Sequence, residues 1–486
     1  MAQQHPGKKL AELDVPTASD FDKKGHGVMR LTQEEQDILD GKQGEVMAKV
    51  MRTVVRYGEV FGAERMLPLD RPIHVVTSMG MAGLDAVFDM MDELIAAGIK
   101  TKLPFTADPK PYDFEALPYH EDIKKSLLAL YANQGRYETQ LKKLGMKGEE
   151  YYSCTAAYLP ELGTPPKKGD ILSWAESSAA VYANSVIGAR TNRNSGVIEL
   201  FGGIVNRAPE FGYLTNEGRK ATWLVELKTE TLPNAQLLGS AIGIRVVGDV
   251  PFIIGLDGFL GSEITDHVRG YLKDLGAAAA SNGAVGMFYI ENLTPDAKEQ
   301  GRAALKDGYR TYTIDDQVLS DTMANYPILW KDLGIEASIC VIGCPHLSLI
   351  QVYEVYGKIA EELKNAGKDK VRMRTVLTTA PGAIAKFKAD KPTFADFTRI
   401  GLSLSYACPV MHMNSSVAAS YPMMTSSNKL RTYSTARFFL DDEIVRRLVY
   451  GLSNDSHSGK DPNEPVQPVP GHAAEIKLVP EHRVTK

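Results

Sequence analysis

The 486-residue chain holds four cysteines, too few for a disulfide framework. It has no excess of basic charge. Its 55 Lys and Arg stand against 60 Asp and Glu, a net charge of −5, so a broad nucleic-acid surface is excluded. It has no apolar run approaching ~20 residues, so neither a membrane span nor a membrane partner is expected. Its opening, MAQQHPGKKLAELDVP, carries no apolar segment of the signal-peptide kind, and the expected location is the cytoplasm. What is left is a chain of ordinary composition, 44% hydrophobic and 24% charged, long enough for roughly two to four packed units. The cysteines then have three readings: inert core thiols, a nucleophile, or metal ligands in a reducing compartment.

Residues 1–29 mix charge, Gly and Pro without periodicity and read as a flexible arm. From 453 the chain runs HSGKDPNEPVQPVPGH after a short lead, an extended tail. Between them, hydrophobic periodicity switches repeatedly between strand and helix. Thr32 is a candidate N-cap ahead of Glu34 and Glu35. Glu45 to Tyr57 puts Val46, Met47, Val50, Met51, Val54 and Val55 on one helical face. Ile73–Val76, a polar turn, a helix from about Leu84 to Ala97, Gly98, and a strand from Lys100 to Phe105 make a βαβ unit. The pattern recurs at the strand closing on Gly255 and the helix from about Glu263 to Leu275. Gly276, a small-residue-rich stretch Ala277–Gly283 and a buried strand Ala284–Ile290 follow. It recurs again at the strand Ala337–Ile342, the loop Gly343–His346, the helix Ser348 to about Asn365, and the strand Arg372–Thr379. The fold class is therefore α/β with mainly parallel sheets.

Cys344 and Cys408 are each followed by Pro where a strand ends, a position from which side chains project into a crevice. Cys154 sits in Tyr151-Tyr-Ser-Cys-Thr-Ala-Ala-Tyr158, and Cys340 falls inside a predicted strand. No spacing among the four is that of a zinc-type Cys-x₂-Cys pair. Three thiolates from distant loops are able to hold an iron–sulfur cluster and leave one iron without a protein ligand. Buried core cysteines are common as well.

The run Trp174-Ala-Glu-Ser-Ser-Ala-Ala-Val-Tyr-Ala-Asn-Ser-Val-Ile-Gly-Ala-Arg-Thr-Asn-Arg193 resembles the signature segment of the aconitase X family. Leu31-Thr-Gln-Glu-Glu35, Gly41-Lys-Gln-Gly44, Leu275–Ala284, Leu293-Thr-Pro-Asp-Ala297, Gly343-Cys-Pro-His-Leu-Ser-Leu349 and Thr425-Ser-Ser-Asn-Lys-Leu-Arg-Thr-Tyr433 extend the resemblance over about residues 30–450. It implies aconitase-like subdomains around a central cleft and a hydro-lyase acting on a small hydroxy acid. The familiar activities are dehydration of cis-3-hydroxy-L-proline and of mevalonate 5-phosphate. It implies Cys154, Cys344 and Cys408 as ligands of an iron–sulfur cluster, [4Fe-4S] first among the iron centres, with Cys340 left to the strand interior. It also implies a separate small swivelling subunit carrying a serine base, because this chain matches the large part only.

Arg190 and Arg193 are candidate anion holders, since guanidinium groups grip carboxylate or phosphate bidentately. Around them Asn184, Ser185, Thr191 and Asn192 are candidate substrate contacts, as are Thr77 and Ser78 in the turn after the first strand of the βαβ unit. His346 is a candidate donor to substrate oxygen or sulfide, or a cap for the next helix. Lys429, with Ser427 beside it, is a candidate partner for a substrate anion. Glu176 either orders the cluster loops or satisfies backbone donors. The loop Val76-Thr-Ser-Met-Gly-Met81, Thr155-Ala-Ala-Tyr158, Asn194-Ser-Gly196 and Tyr406-Ala407 depart from the family pattern. The ligands are kept and the surrounding shell is changed, so the same chemistry is expected on a different hydroxy acid. A cluster-bearing scaffold without catalysis is the second reading. A thiol hydrolase built on Cys344 and His346 comes last, for want of an oxyanion hole.

Overall fold

A computed structural model describes residues 29–76, 80–116, 121–154, 165–194, 196–330, 334–413 and 420–451. The N-terminal arm, the C-terminal tail and the Thr77–Ser78 turn lie outside the described residues.

Three packed units follow one another, each with its own core. The first is mostly helical. The helix Glu45–Val60 buries Val50, Met51, Val54 and Val55, the stripe its periodicity dictates. Thr32 caps Gln33–Leu39 through a reciprocal capping box with Glu35. Phe88, Phe105, Leu141 and Leu200 fill the centre of this unit. The strand after the helix Asp85–Ala96 is Thr106–Ala107, paired parallel with His74–Val75. Lys100–Phe105 is not a strand, because Phe105 bridges to Met146 and the residues before it lie in a turn.

The second unit is a four-stranded parallel sheet in the order Tyr289–Ile290, Pro251–Ile254, Ala221–Leu227, Leu305–Ile314. Its helices Ala235–Val246 and Asp266–Gly283 pack on one another. The helix expected to end at about Leu275 runs on through the small-residue stretch Ala277–Gly283. Small residues are needed there for close approach: a Cβ on Gly283 would lie 1.7 Å from the Gly243 carbonyl oxygen.

The third unit is a five-stranded parallel sheet ordered Leu402–Ser405, Arg374–Thr379, Ile339–Leu347, Met423–Thr425, Arg437–Phe438. The central strand runs on through Gly343–His346, which the sequence reading made a loop. Both readings have a physical basis. Leu377 pairs with Ile342 and Thr379 with Leu347, so four residues on one strand face one on its neighbour. This bulge is what admits Pro345 to a central strand. No helix among the described residues is long and apolar enough to cross a membrane.

Candidate active site

Each unit, or the seam between two, delivers one wall. Cys344 rides the bulge. Gly343 before it has φ +110°, and a Cβ there would meet the Thr378 carbonyl oxygen at 2.5 Å, so only glycine turns the chain at this point. Thr378 and Thr379 then clamp the bulge through hydroxyls donating to the Gly343 and Leu347 carbonyls, each at 2.6 Å. Cys408 is the residue capping the short helix Pro409–His412, and its N–H donates across to the Lys110 carbonyl at 2.7 Å. Cys154 ends the extended Tyr152–Ser153 segment that pairs beside Ala107. The backbone N–H of His346 donates to the Cys154 sulfur at 3.2 Å, which joins the first unit to the third.

All four cysteines are free. Burial pushes the thiols of Cys154, Cys344 and Cys408 up, Cys344 to about 12. The ammonium of Lys429 opposes that rise at all three, and Cys344 interacts electrostatically with both of the others. Cys340 shows burial alone and packs in the core of the third unit. Among the described residues no group of three His, Cys, Asp or Glu is arranged to hold a metal ion. A multi-iron cluster makes a different demand, since each thiolate meets a different iron. Three separated thiols facing a common cation, with the fourth cysteine remote, is a donor set that fits such a cluster.

Lys429 is the charge at the centre. Its Nζ donates to Glu176 Oε1 at 2.5 Å, Ser178 Oγ at 2.9 Å and Ser177 Oγ at 3.3 Å. Burial works to lower its pKa, but Glu176 and the nearby sulfurs hold it above the ordinary lysine value. Burial likewise works to raise Glu176, and Lys429 holds it below the usual carboxylate range. The other Glu176 oxygen accepts from the Ala179 N–H at 2.6 Å and caps the helix Ser177–Tyr182. Ser427 caps the helix that carries Lys429, and its hydroxyl donates to the Cys344 carbonyl.

A second buried group was not found from the sequence. His74 places Nδ1 2.8 Å from Thr106 Oγ1 and Nε2 3.0 Å from Asp108 Oδ1. Burial raises Asp108 to about 6 against the pull of His74, and the Asp108 carboxylate acts in turn on Cys154 and Cys408. Glu199, in the helix Ile198–Val205, accepts from the Val76 N–H at 2.9 Å, and burial pushes it up to about 8. Alternation along a short strand marks His74 as buried and says nothing about a partner 34 residues on.

The polar run after the helix divides in two. Asn184 donates to the carbonyls of Thr191 and Gly286 at 2.9 and 3.0 Å and accepts from the Thr191 N–H at 2.9 Å. Ser185 Oγ accepts from the Phe288 N–H at 2.9 Å. Thr191 Oγ1 donates to the Asn192 carbonyl and accepts from the Trp174 N–H. Asn192 bonds the backbone of Phe211 and Tyr213. Arg190 donates to the Leu214 carbonyl at 3.0 Å and Asn216 Oδ1 at 2.7 Å. These five, expected to meet substrate, each make hydrogen bonds that hold the chain. Arg193 differs. Its guanidinium has no hydrogen-bond or ion-pair partner among the described residues, and it lines a cavity of about 520 Å³ with Ser177, Asn194 and Tyr433. His346 is fully buried, its pKa lowered to about 4 by burial, with Nε2 3.4 Å from the Ala407 carbonyl. The helix after it is capped by Ser348 instead.

Models of known families match the chain as the aconitase X first domain over residues 28–217 and the aconitase X second domain over 221–324. The phosphomevalonate dehydratase large subunit of Thermococcus kodakarensis is 33% identical over 343 residues, covering 70% of this chain and 78% of that one. The cis-3-hydroxy-L-proline dehydratase of Pseudomonas aeruginosa is 28% identical over 337 residues, 66% of this chain and 52% of that one. Among solved structures, the holo-form of Thermococcus kodakaraensis aconitase X superimposes with a TM-score of 0.71 at 27% identity. It covers 86% of this chain and 100% of that one.

Proposed function

The chain belongs to the aconitase X family and is a hydro-lyase, and we propose that it is the large subunit of an iron–sulfur dehydratase acting on a small hydroxy acid. The observation that carries this reading is that His346, two residues after Cys344, donates its N–H to the Cys154 sulfur and sets its ring against the Ala407 carbonyl next to Cys408, so that three separate stretches of chain meet beside one residue. These cysteines would hold the cluster, which when bound supplies a Lewis-acidic iron for the departing hydroxyl.

The chain's own residues do the rest. Lys429, kept cationic by Glu176, offsets the negative charge that three thiolates would bring into a buried site. The His346 N–H, donating to the Cys154 sulfur, orients that ligand and tempers its charge. Arg193, with its guanidinium unspent, takes the substrate's carboxylate or phosphate at the cavity it lines. Asp108, fixed by His74, sets the polarity of the wall between Cys154 and Cys408. The base that removes the C–H proton is placed on a separate small subunit, as a serine. The naming of the Thermococcus relative as a large subunit supports that division.

The test is anaerobic co-purification with the small subunit, followed by turnover of cis-3-hydroxy-L-proline and mevalonate 5-phosphate, read as loss of water by mass spectrometry. An iron-loaded complex that dehydrates one hydroxy acid is expected. An iron-free, colourless complex with full turnover contradicts the cluster. An iron-loaded complex inert on every hydroxy acid leaves only the scaffold reading.

A further inference from the structure

Large apolar side chains left in water gather on one face of this molecule. Ile244, Val247 and Leu329 are 52%, 65% and 55% exposed, and Tyr433 is exposed beside them. They line two adjoining cavities. One, of about 650 Å³, takes Ile244 and Leu329; the other, of about 520 Å³, takes Val247, Tyr433 and Arg193; Asn282 lines both. The second cavity also reaches Ser177, whose hydroxyl accepts from the Lys429 ammonium at 3.3 Å. The apolar face is thus continuous with the rim of the candidate active site.

The backbone gives an independent sign. Among the described residues four non-glycine residues have positive φ. Asn206 and Asn292 are of a type that tolerates it, whereas Val247 (φ +44°) and Ala284 (φ +57°) are not. Both of these line the 520 Å³ cavity. They end the helices Ala235–Val246 and Asp266–Gly283, which meet glycine to glycine at Gly243 and Gly283, so the two strained ends are held side by side. The left-handed turn at Val247 closes its helix, its N–H bonding the Gly243 carbonyl at 3.2 Å, and it leaves a β-branched side chain mostly in solvent at a position that favours Gly or Asn.

The geometry points to this face, centred on Val247, as the docking surface for the small subunit of the proposed dehydratase, an inference that rests on the functional reading above. Two observations favour that occupant. The match covers 78% of the large-subunit relative but only 52% of the Pseudomonas dehydratase, so that protein carries more chain outside the shared region than the large-subunit relative does. And the face opens directly beside Arg193 and Ser177, where a second chain must sit to reach a substrate held there. The partner's edge would be apolar against Ile244, Val247 and Leu329, with a short polar loop over Arg193.

The experiment measures binding of the tagged cognate small subunit to the full-length, iron-loaded chain by titration calorimetry. Val247→Asp and Ile244→Glu are expected to weaken binding about 30-fold or more, as central interface residues do. Val60→Asp, on an equally exposed valine of the first unit, is expected to leave it within about twofold. Val247→Gly guards against misfolding: it relieves the backbone, so Tm is expected to rise while affinity falls. Unchanged binding in Val247→Asp and Ile244→Glu overturns the assignment. So does a dimer of the large chain that these substitutions dissolve, which would make a second copy the occupant, or binding that changes only when residues 452–486 are deleted. A wild-type complex that Val247→Asp breaks but that dehydrates nothing leaves the surface standing and overturns the function. An active complex indifferent to Val247→Asp does the reverse.

Discussion

Arg190 and Arg193 stand three residues apart and have opposite fates. The segment Asn184–Asn192 is closed: side chain by side chain, its polar groups bond backbone carbonyls and N–H groups of the same fold. The region formed by the three thiols, Lys429, Glu176 and Arg193 is open: its charges balance one another or point at a cavity. Both are buried or half-buried polar clusters, and both draw residues from the signature run, Asn184–Asn192 for the one and Glu176 and Arg193 for the other. What separates them is whether the hydrogen-bonding capacity is used up. A polar group whose bonds are all made inside the protein stabilises the fold; one left over is available to a ligand.

The largest effect is expected where the open region's charge balance is broken. Lys429→Met leaves Glu176 as a buried carboxylate without its cation. It should cost about 3–5 kcal/mol of stability and abolish turnover. The double variant Lys429→Met/Glu176→Gln should recover much of the melting temperature and none of the activity; recovery of activity would show that Lys429 only supports the fold. Next is the arginine pair. Arg193→Ala should lower kcat/KM about 100-fold, the worth of a charge-assisted contact, with Tm almost unmoved. Arg190→Ala should do the opposite, losing about 1–2 kcal/mol of stability while kinetics stay near wild type. If the two exchange these phenotypes, the open and closed regions have been assigned the wrong way round. Asn184→Ala should cost about 2 kcal/mol by leaving several backbone groups unpaired, again without a change in KM.

The smallest effect is electrostatic. Glu199 is raised to about 8 in the folded protein from an ordinary 4.5. The folded state therefore holds a proton that the unfolded state gives up between these values. Its stabilising contribution is complete below about pH 4.5 and is lost as pH rises toward 8. Glu199→Gln keeps the acceptor for the Val76 N–H and removes the ionisation. The variant should gain Tm over wild type at pH 8 and differ little at pH 5, read by thermal melts at both.

Local signals were legible from the sequence and partners were not. Thr32 before Glu35 writes a capping box in four residues, and the stripe from Val46 to Val55 writes a helix. The alternation of strands with helices gave the parallel α/β class. The helix end expected at about Leu275 fell short of Gly283, because the small residues of Ala277–Gly283 serve a helix–helix contact with Gly243 that no local pattern records. The same holds in the site. Cysteines before prolines at strand ends drew attention to Cys344 and Cys408. Yet the His74–Asp108 pair and the Lys429–Glu176 pair join residues 34 and 253 positions apart. And Asn, Ser and Thr near two arginines look the same in sequence whether they face a substrate or a neighbouring carbonyl; only the count of bonds already made tells them apart.

The most direct measurement is the iron and acid-labile sulfide content, with the visible absorption, of the anaerobically reconstituted chain and its four single Cys→Ala variants. Cys154→Ala, Cys344→Ala and Cys408→Ala are each expected to lose the cluster, while Cys340→Ala keeps it in full. A cluster retained by any of the first three, or lost with Cys340, contradicts the convergence of those thiols on one iron centre.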